Sequence, residues 1–370
     1  MKHATNALLM KEQNKKLILR TIYENPCSRA ALAKATGLTK AAITVLIDEL
    51  LAEGLVYECG AQQSAIGRRP ILLKIAGDSL YAIGVNISRR HCELGILNLS
   101  GKVLTKKRFA THTMTPREVL SQIAETVRAD IAALQIDPAL IRGVGVTTPG
   151  PVDYRAKKIL TPPRFTAWHN VDLTVLSEQL HMPCYVENVA TAYAIGERHF
   201  GCCVGKNHYI SLLVNDGVGA GVFNEAMYRG NRGLGNEIGH ISIDYQGKKC
   251  TCGNRGCLEC YASIPNILEE SAFSSWQEAM DFGAPDLVEK EAEYLSVALL
   301  SAINLFDLQT VVLGGDLVYK GEALAAAVSQ KLKDKVITKQ EVEVLLSRMD
   351  SAVLAAGSLV VEHFFKTEEE

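Results

Sequence analysis

Gly239-His240 is followed, ten residues after the histidine, by Cys250-Thr251-Cys252-Gly253-Asn254-Arg255-Gly256-Cys257-Leu258-Glu259-Cys260. One imidazole and a packed set of thiols at these spacings can hold zinc, which favours four soft or borderline ligands in a tetrahedron. The C-x-C turn and the Gly-Asn-Arg-Gly stretch let the backbone return a third cysteine beside the first two. The pattern predicts His240, Cys250, Cys252 and Cys257 as the ligands of one zinc ion per chain. A set of four thiolates that takes in Cys260 is also chemically reasonable. Neither set leaves an open, water-bearing position, so the ion is expected to be structural.

The elements that must position this cluster lie in a chain of 370 residues, too long for one ordinary core and suited to two or three domains. The net charge of -2 hides an asymmetry: residues 1–75 carry eleven lysines and arginines against six acids. A basic N-terminal segment on an acidic body suggests a polyanion-binding head on a separate module. No signal-peptide pattern opens the chain, and no apolar stretch approaches the ~20 residues that span a bilayer. A cytoplasmic protein without membrane contact is expected. Ten cysteines then read as thiols and metal ligands rather than as a disulfide framework. Cys27, Cys59, Cys92, Cys184, Cys202 and Cys203 are expected to be small buried apolar residues.

Residues 1–80 read as a winged helix-turn-helix with a basic linker. Leu17, Ile18, Ile22 and Tyr23 fall at helical spacing, and Pro26 stops that helix. Ser28 is a good cap for a short second helix, Arg29–Thr36; Gly37 supplies a turn, and Thr39 caps a third helix to about Glu53. Leu55–Glu58 and Ile71–Ile75 are the strands of a wing, joined through Gly67-Arg68-Arg69-Pro70. Thr39, Lys40 and Thr44, opposite the apolar stripe of the third helix, are expected to face a DNA major groove. Arg68 and Arg69 form an extended basic element suited to a minor groove.

From Tyr81 the pattern becomes α/β. Tyr81–Ile87, Glu93–Leu99 and Lys102–Phe109 read as a meander, Thr115–Gln135 as an amphipathic helix, and Gly143–Val146 as a buried strand. The pattern recurs with strands at His208–Val214, Gly217–Phe223, Ala226–Arg229 and Thr310–Leu313. A duplicated fold with an interlobe cleft follows, in the manner of actin-like (ribonuclease H-like) sugar kinases. The first lobe is set at 81–195, completed by the C-terminal helix 351–370, and the second at 196–350 with the zinc motif. Residues 270–285 give no clear structural signal.

On these motifs, over essentially its whole length, the chain resembles the ROK family (repressors, open reading frames and kinases), in its transcriptional repressor branch. The resemblance implies an oligomeric, sugar-responsive DNA-binding protein related to the glucokinase, xylose regulator and N-acetylglucosamine regulator groups. It also implies that Glu237, His240 and Glu259 contact sugar hydroxyls, with Asn188 retained beside them, and that Cys260 stands outside the metal motif.

The kinase side of the resemblance is damaged. Family kinases open with Asp-x-Gly-Gly-Thr, where this chain has Asn86-Ile87-Ser88-Arg89-Arg90. The second phosphate motif retains Gly217, Gly219 and Gly221 but begins Asn215-Asp216, and Asp216 would repel a phosphate. The general base of Glu-Asn-Asp-Ala is replaced in Glu187-Asn188-Val189-Ala190, and valine accepts no proton. The favoured reading is a homodimeric or homotetrameric repressor that binds palindromic operator DNA and answers to a sugar or sugar phosphate. The alternatives are a sugar kinase with a fused DNA-binding head and a regulator controlled by docking of another protein.

Overall fold

The computed structural model describes residues 7–61, 71–333 and 335–366. The head comprises α1 (Ala7–Glu24), α2 (Arg29–Thr36) and α3 (Lys40–Ala52). Local chemistry sets their ends. Ser28 accepts a hydrogen bond from the Ala31 amide, Thr39 accepts one from Ala42, and Gly37 ends α2 in the left-handed region at φ 72°. Leu32, Ile43, Ile47 and Leu50 pack on Ile18 and Ile22 of α1. Strands β1 (Val56–Ala61) and β2 (Ile71–Ile75) pair antiparallel as the wing. Arg68 and Arg69 lie outside the described residues.

The first half of the body contains β3 (Tyr81–Ile87), β4 (His91–Asn98), β5 (Lys107–Ala110), α4 (Pro116–Leu134) and β6 (Ile141–Thr148). It continues through the small hairpin β7 (Val152–Asp153) and β8 (Lys158–Ile159) to α5 (Thr174–Leu180), β9 (Cys184–Asn188) and α6 (Val189–His199). The main strands run in the order β5-β4-β3-β6-β9, with β3, β6 and β9 parallel. Thr115 and Glu118 form a reciprocal capping box at the start of α4. The third strand is shorter than expected: the Thr105 hydroxyl accepts from the Ile96 amide at 3.1 Å and interrupts the ladder ahead of Lys107.

The second half repeats this winding. It contains β10 (His208–Val214), β11 (Val218–Asn224), β12 (Ala226–Met227), α7 (Glu259–Ala262), α8 (Ile264–Ile267) and α9 (Trp276–Asp281). Then follow α10 (Pro285–Phe306), β13 (Thr310–Gly315), α11 (Glu322–Leu332), β14 (Glu343–Leu346) and α12 (Ala352–Phe365). The strand order is β12-β11-β10-β13-β14. Helix α9 lies in the stretch that gave no clear signal, although Ser275 caps it by accepting from the Glu278 amide.

Two helices exchange sheets. Helix α6 packs on β10 and β11, whereas α12 packs on β3, β4 and β6 of the first sheet. Together they form the central layer, with Ala192, Ile195, Ala355, Leu359 and Val360 in its core. Of the cysteines outside the cluster, Cys92, Cys184 and Cys203 are buried, but Cys27, Cys59 and Cys202 are only partly so. Among the described residues no single helix is long and apolar enough to cross a membrane.

Candidate ligand cleft, metal centre and DNA interface

The cysteine loop is folded by its own backbone. The Cys250 amide donates to the Asn254 carbonyl, Gly253 returns to Cys250, and Ile243 and Leu258 pair the loop with the segment after His240. Gly256 adopts φ 69°, and a Cβ there would collide with the Asp244 carbonyl, so only glycine fits. His240 Nδ1 lies 3.7 Å from Cys250 Sγ, and Cys252 Sγ lies 3.6 Å from Cys257 Sγ. One ligand atom from each of the four residues falls within 4.8 Å of all the others. A zinc tetrahedron with bonds of ~2.3 Å has edges of about 3.8 Å, so the donor set fits such an ion. Cys260 is outside this group, with its sulfur 3.9 Å from the Lys249 carbonyl.

The charge state of the cluster is uneven. Burial opposes a thiolate at Cys250, but hydrogen bonds from the Cys252 backbone and thiol, His240 and Cys257 bring its pKa down to about 6. Burial pushes Cys257 up to about 12, and Cys250 and Cys252 add to the rise. A divalent cation would relieve that mutual repulsion.

The predicted sugar residues lie on both sides of the interlobe cleft. Asn188 caps α6, its Oδ1 accepting from the Ala190 amide at 2.8 Å, which leaves its Nδ2 free of that bond. Glu259 opens α7, and its Oε2 accepts from the Val218 amide at 3.2 Å, at the tip of the β10–β11 hairpin. Glu237 reaches solvent, yet crowding by the protein raises its carboxyl above the usual range; Glu259 adds to the rise and His240 opposes it. Asn188 and Glu237 line one small cavity with Thr191, Gly219 and Asn236. Its volume is about 30 Å³, room for a water molecule but not for an enclosed sugar ring. Glu259 and His240 do not line it.

A buried ion pair that sequence reading missed spans the cleft. Arg229 Nε donates to Glu187 Oε2 at 3.0 Å, and the guanidinium sits 4.9 Å above the Tyr154 ring. Glu187 is only 5% exposed, so its charge depends on Arg229. The pair joins residues far apart in sequence, and no local motif marks it.

The ROK family profile matches residues 82–360, and a MarR family profile matches residues 13–63. The chain belongs to the ROK family. It is 30% identical to the xylose repressor of Bacillus spizizenii, over 96% of each chain. A crystal structure of a ROK family transcriptional regulator, described as a homologue of the E. coli MLC protein, superposes with a TM-score of 0.80. That structure is 25% identical and covers 96% of this chain and 97% of its own. The ROK hexokinase of Thermus thermophilus superposes with a TM-score of 0.65 at 25% identity, covering 77% of this chain and 99% of its own. The smaller share covered by the hexokinase agrees with a kinase-like body that carries an added head. A MarR-like helix-turn-helix joined to a ROK body is the architecture of a transcriptional regulator.

In this ROK protein the kinase motifs hold other contacts. Asn86 is buried and accepts a hydrogen bond from the Thr147 hydroxyl at 2.9 Å. Asn215 Oδ1 accepts from the Asp316 amide at 3.0 Å. Burial and the neighbouring Asp216 raise the Asp316 carboxyl above its ordinary range, which places two carboxyl groups beside the second phosphate turn. Val189 is the first residue of α6, beside the Asn188 cap.

On the ROK protein's head, Thr39, Lys40 and Thr44 are exposed along one face of α3. The Thr44 hydroxyl donates to the Lys40 carbonyl at 2.9 Å. Val45, not singled out in the sequence, is 58% exposed near them. It presents an exposed apolar group of the kind that can meet a thymine methyl.

Proposed function

We propose that this chain is a sugar-responsive transcriptional repressor that binds operator DNA through α3 and its wing and uses a non-catalytic kinase cleft as its sensor. The observation that carries this reading is the division of the cleft. Asn188 and Glu237 line its small cavity, Glu259 meets the Val218 amide beyond it, and Val189 occupies the sequence position where the family kinases carry their general base. His240, Cys250, Cys252 and Cys257 would hold a structural zinc, whose contribution is to fix the loop bearing Glu259. Lys40 would contact phosphate or a guanine edge, and Thr39, Thr44, Arg68 and Arg69 would support groove contacts. Such a regulator acts in the cytoplasm as a homodimer or homotetramer on palindromic half-sites.

Helix α6 offers a direct route between sensor and head. It begins at the Asn188 cap and ends at His199, eleven residues that span ~16 Å. At its far end the Tyr23 hydroxyl of α1 donates to the His199 carbonyl at 3.3 Å, and Arg198 pairs with Glu24 at 3.5 Å. His199 is tied in turn to Glu362 of α12 at 2.8 Å. A sugar that parts the lobes strains the Glu187–Arg229 pair and moves α6, and α1 moves with it. Paired heads then lose the spacing needed to engage both half-sites.

The test starts with DNA ligands selected by the purified full-length protein from a random pool. Sugars, amino sugars and their 6-phosphates are then screened for release of that DNA and for thermal stabilisation. Release by one of these compounds is the expected result. Absence of any sugar effect would favour control by a docked protein, and sugar phosphate formed with ATP and Mg²⁺ at ordinary enzymatic rates would establish a kinase. Lys40→Ala should weaken DNA binding and reduce its salt slope by about one.

A further inference from the structure

Asn236, which lines the small cavity at the cleft, carries an unsatisfied acceptor. Asn236 Oδ1 is shielded from solvent and has no hydrogen-bond partner among the described residues. Its amide nitrogen cannot be exchanged with it cheaply, because Nδ2 donates to the Tyr228 carbonyl at 2.6 Å. The segment is held at both ends: the Gly235 amide donates to the Arg229 carbonyl at 3.0 Å and the Ile238 amide to the Asn236 carbonyl at 2.8 Å. Asn236 also sits at φ 70°, a left-handed conformation that asparagine tolerates better than most residues. A buried acceptor without a donor is costly.

The walls around it constrain what could supply that donor. The cavity is lined by two carboxylates, Glu187 and Glu237, and among the described residues by no lysine or arginine. Glu187 is already paired with Arg229. Beyond the cavity Glu259 meets the hairpin of Asp216 and Gly217, where Asp316 adds another carboxylate. An anionic group would meet repulsion along this wall. A hydroxyl would not, because it donates to Asn236 Oδ1 or Glu237 and can accept from Asn188 Nδ2.

We propose that Asn236 is a specificity-determining residue that accepts a hydrogen bond from one hydroxyl of an uncharged sugar, and that the cleft favours such a sugar over its phosphate ester. This rests on the sugar-sensing reading above and narrows its ligand class.

Calorimetric titration of the full-length protein with D-glucose, D-xylose, N-acetyl-D-glucosamine and D-glucose 6-phosphate tests it. Deoxyfluoro analogues of the tightest binder follow, since fluorine keeps size but donates no hydrogen bond. In the parent protein one analogue should lose on the order of tenfold in affinity. In Asn236→Gly, which suits the backbone, the same analogue and the parent sugar should bind equally. Asn236→Asp, which loses the Tyr228 bond but keeps an acceptor, should retain the discrimination. The proposal is overturned if Asn236→Gly weakens every analogue by one common factor, which would mark a loop anchor. It is equally overturned if affinity is unchanged, which would mark a water site, or if glucose 6-phosphate binds more tightly than glucose. Failure of all four compounds to bind the parent protein would instead sink the sugar-sensing reading itself.

Discussion

The two lobes carry the same sheet, wound in the same order, yet the turns at their cleft edges have diverged. In the first lobe the β3–β4 turn is filled by side chains: Ser88 closes on the His91 carbonyl at 2.7 Å, and Arg89 donates to the Pro163 carbonyl. In the second lobe Gly217, Gly219 and Gly221 remain. Their retention has a packing cause. A Cβ on Gly219 would lie 2.6 Å from Ala190, and one on Gly221 would collide with Ala194, both on α6. Gly217 faces Glu259 Oε2 at 2.8 Å from such a Cβ. The first lobe uses glycine in the same way where α12 crosses it, at Gly84 and Gly145. Gly219 and Gly221 therefore serve helix-on-sheet contact, and their presence says little about nucleotide binding.

The largest separation of the two turns should come from metal removal. If the metal-bound cysteine loop braces Glu259, a chelator should free the Val218 amide and raise its hydrogen exchange while Ser88–His91 stays unchanged. Structural zinc in small domains contributes on the order of 10 kcal/mol to folding, so the effect on the loop should be large. Equal exchange at Val218 before and after chelation would detach the metal from the cleft. Next in size, Gly221→Val should cost roughly 1–3 kcal/mol in denaturant unfolding by forcing α6 away from β11. An unchanged midpoint would mean that the glycine is kept for another reason.

The comparison also marks what the sequence could reveal. Ser28, Gly37 and Thr39 were legible because a cap or a left-handed turn is decided within a few residues. Thr115 with Glu118 at α4 and Ser275 with Glu278 at α9 carried similar local signals that went unused. The cysteine cluster was legible because its ligands are close in sequence and its glycines specify the loop. The Glu187–Arg229 pair, the Thr105 interruption and the α6 contact behind Gly219 were not, since each depends on where a distant strand or helix lands. Asn236 was passed over for a different reason: its interest lies in one atom left without a partner.

A smaller contrast lies in the outer helices. Asp130 of α4 is buried but paired with Lys107, whereas Glu291 of α10 is fully buried and neither oxygen has a partner among the described residues. Burial holds the Glu291 carboxyl well above the carboxylate range. The unfolded chain releases this proton above about pH 4.3, while the folded chain keeps it. The unfolded state then binds fewer protons, so stability falls as pH rises from there through the folded value. Glu291→Gln should remove that loss, adding roughly 0.5–2 kcal/mol at pH 7 and little at pH 3. A gain of the same size at both pH values would show that the charge is not the cause.

The smallest expected effects return to the turns themselves. Arg89 is exposed and among the described residues its side chain holds only the Pro163 carbonyl, so Arg89→Ala should change stability by less than ~0.5 kcal/mol and leave sugar affinity unaltered. Gly217→Ala should be similarly mild for stability, because the atom it meets is the far end of a flexible glutamate. That movement nevertheless displaces Glu259 from the Val218 amide, so ligand affinity should fall while the unfolding midpoint holds. If the two substitutions were indistinguishable in a sugar titration, the second lobe's turn would have no more part in sensing than the first.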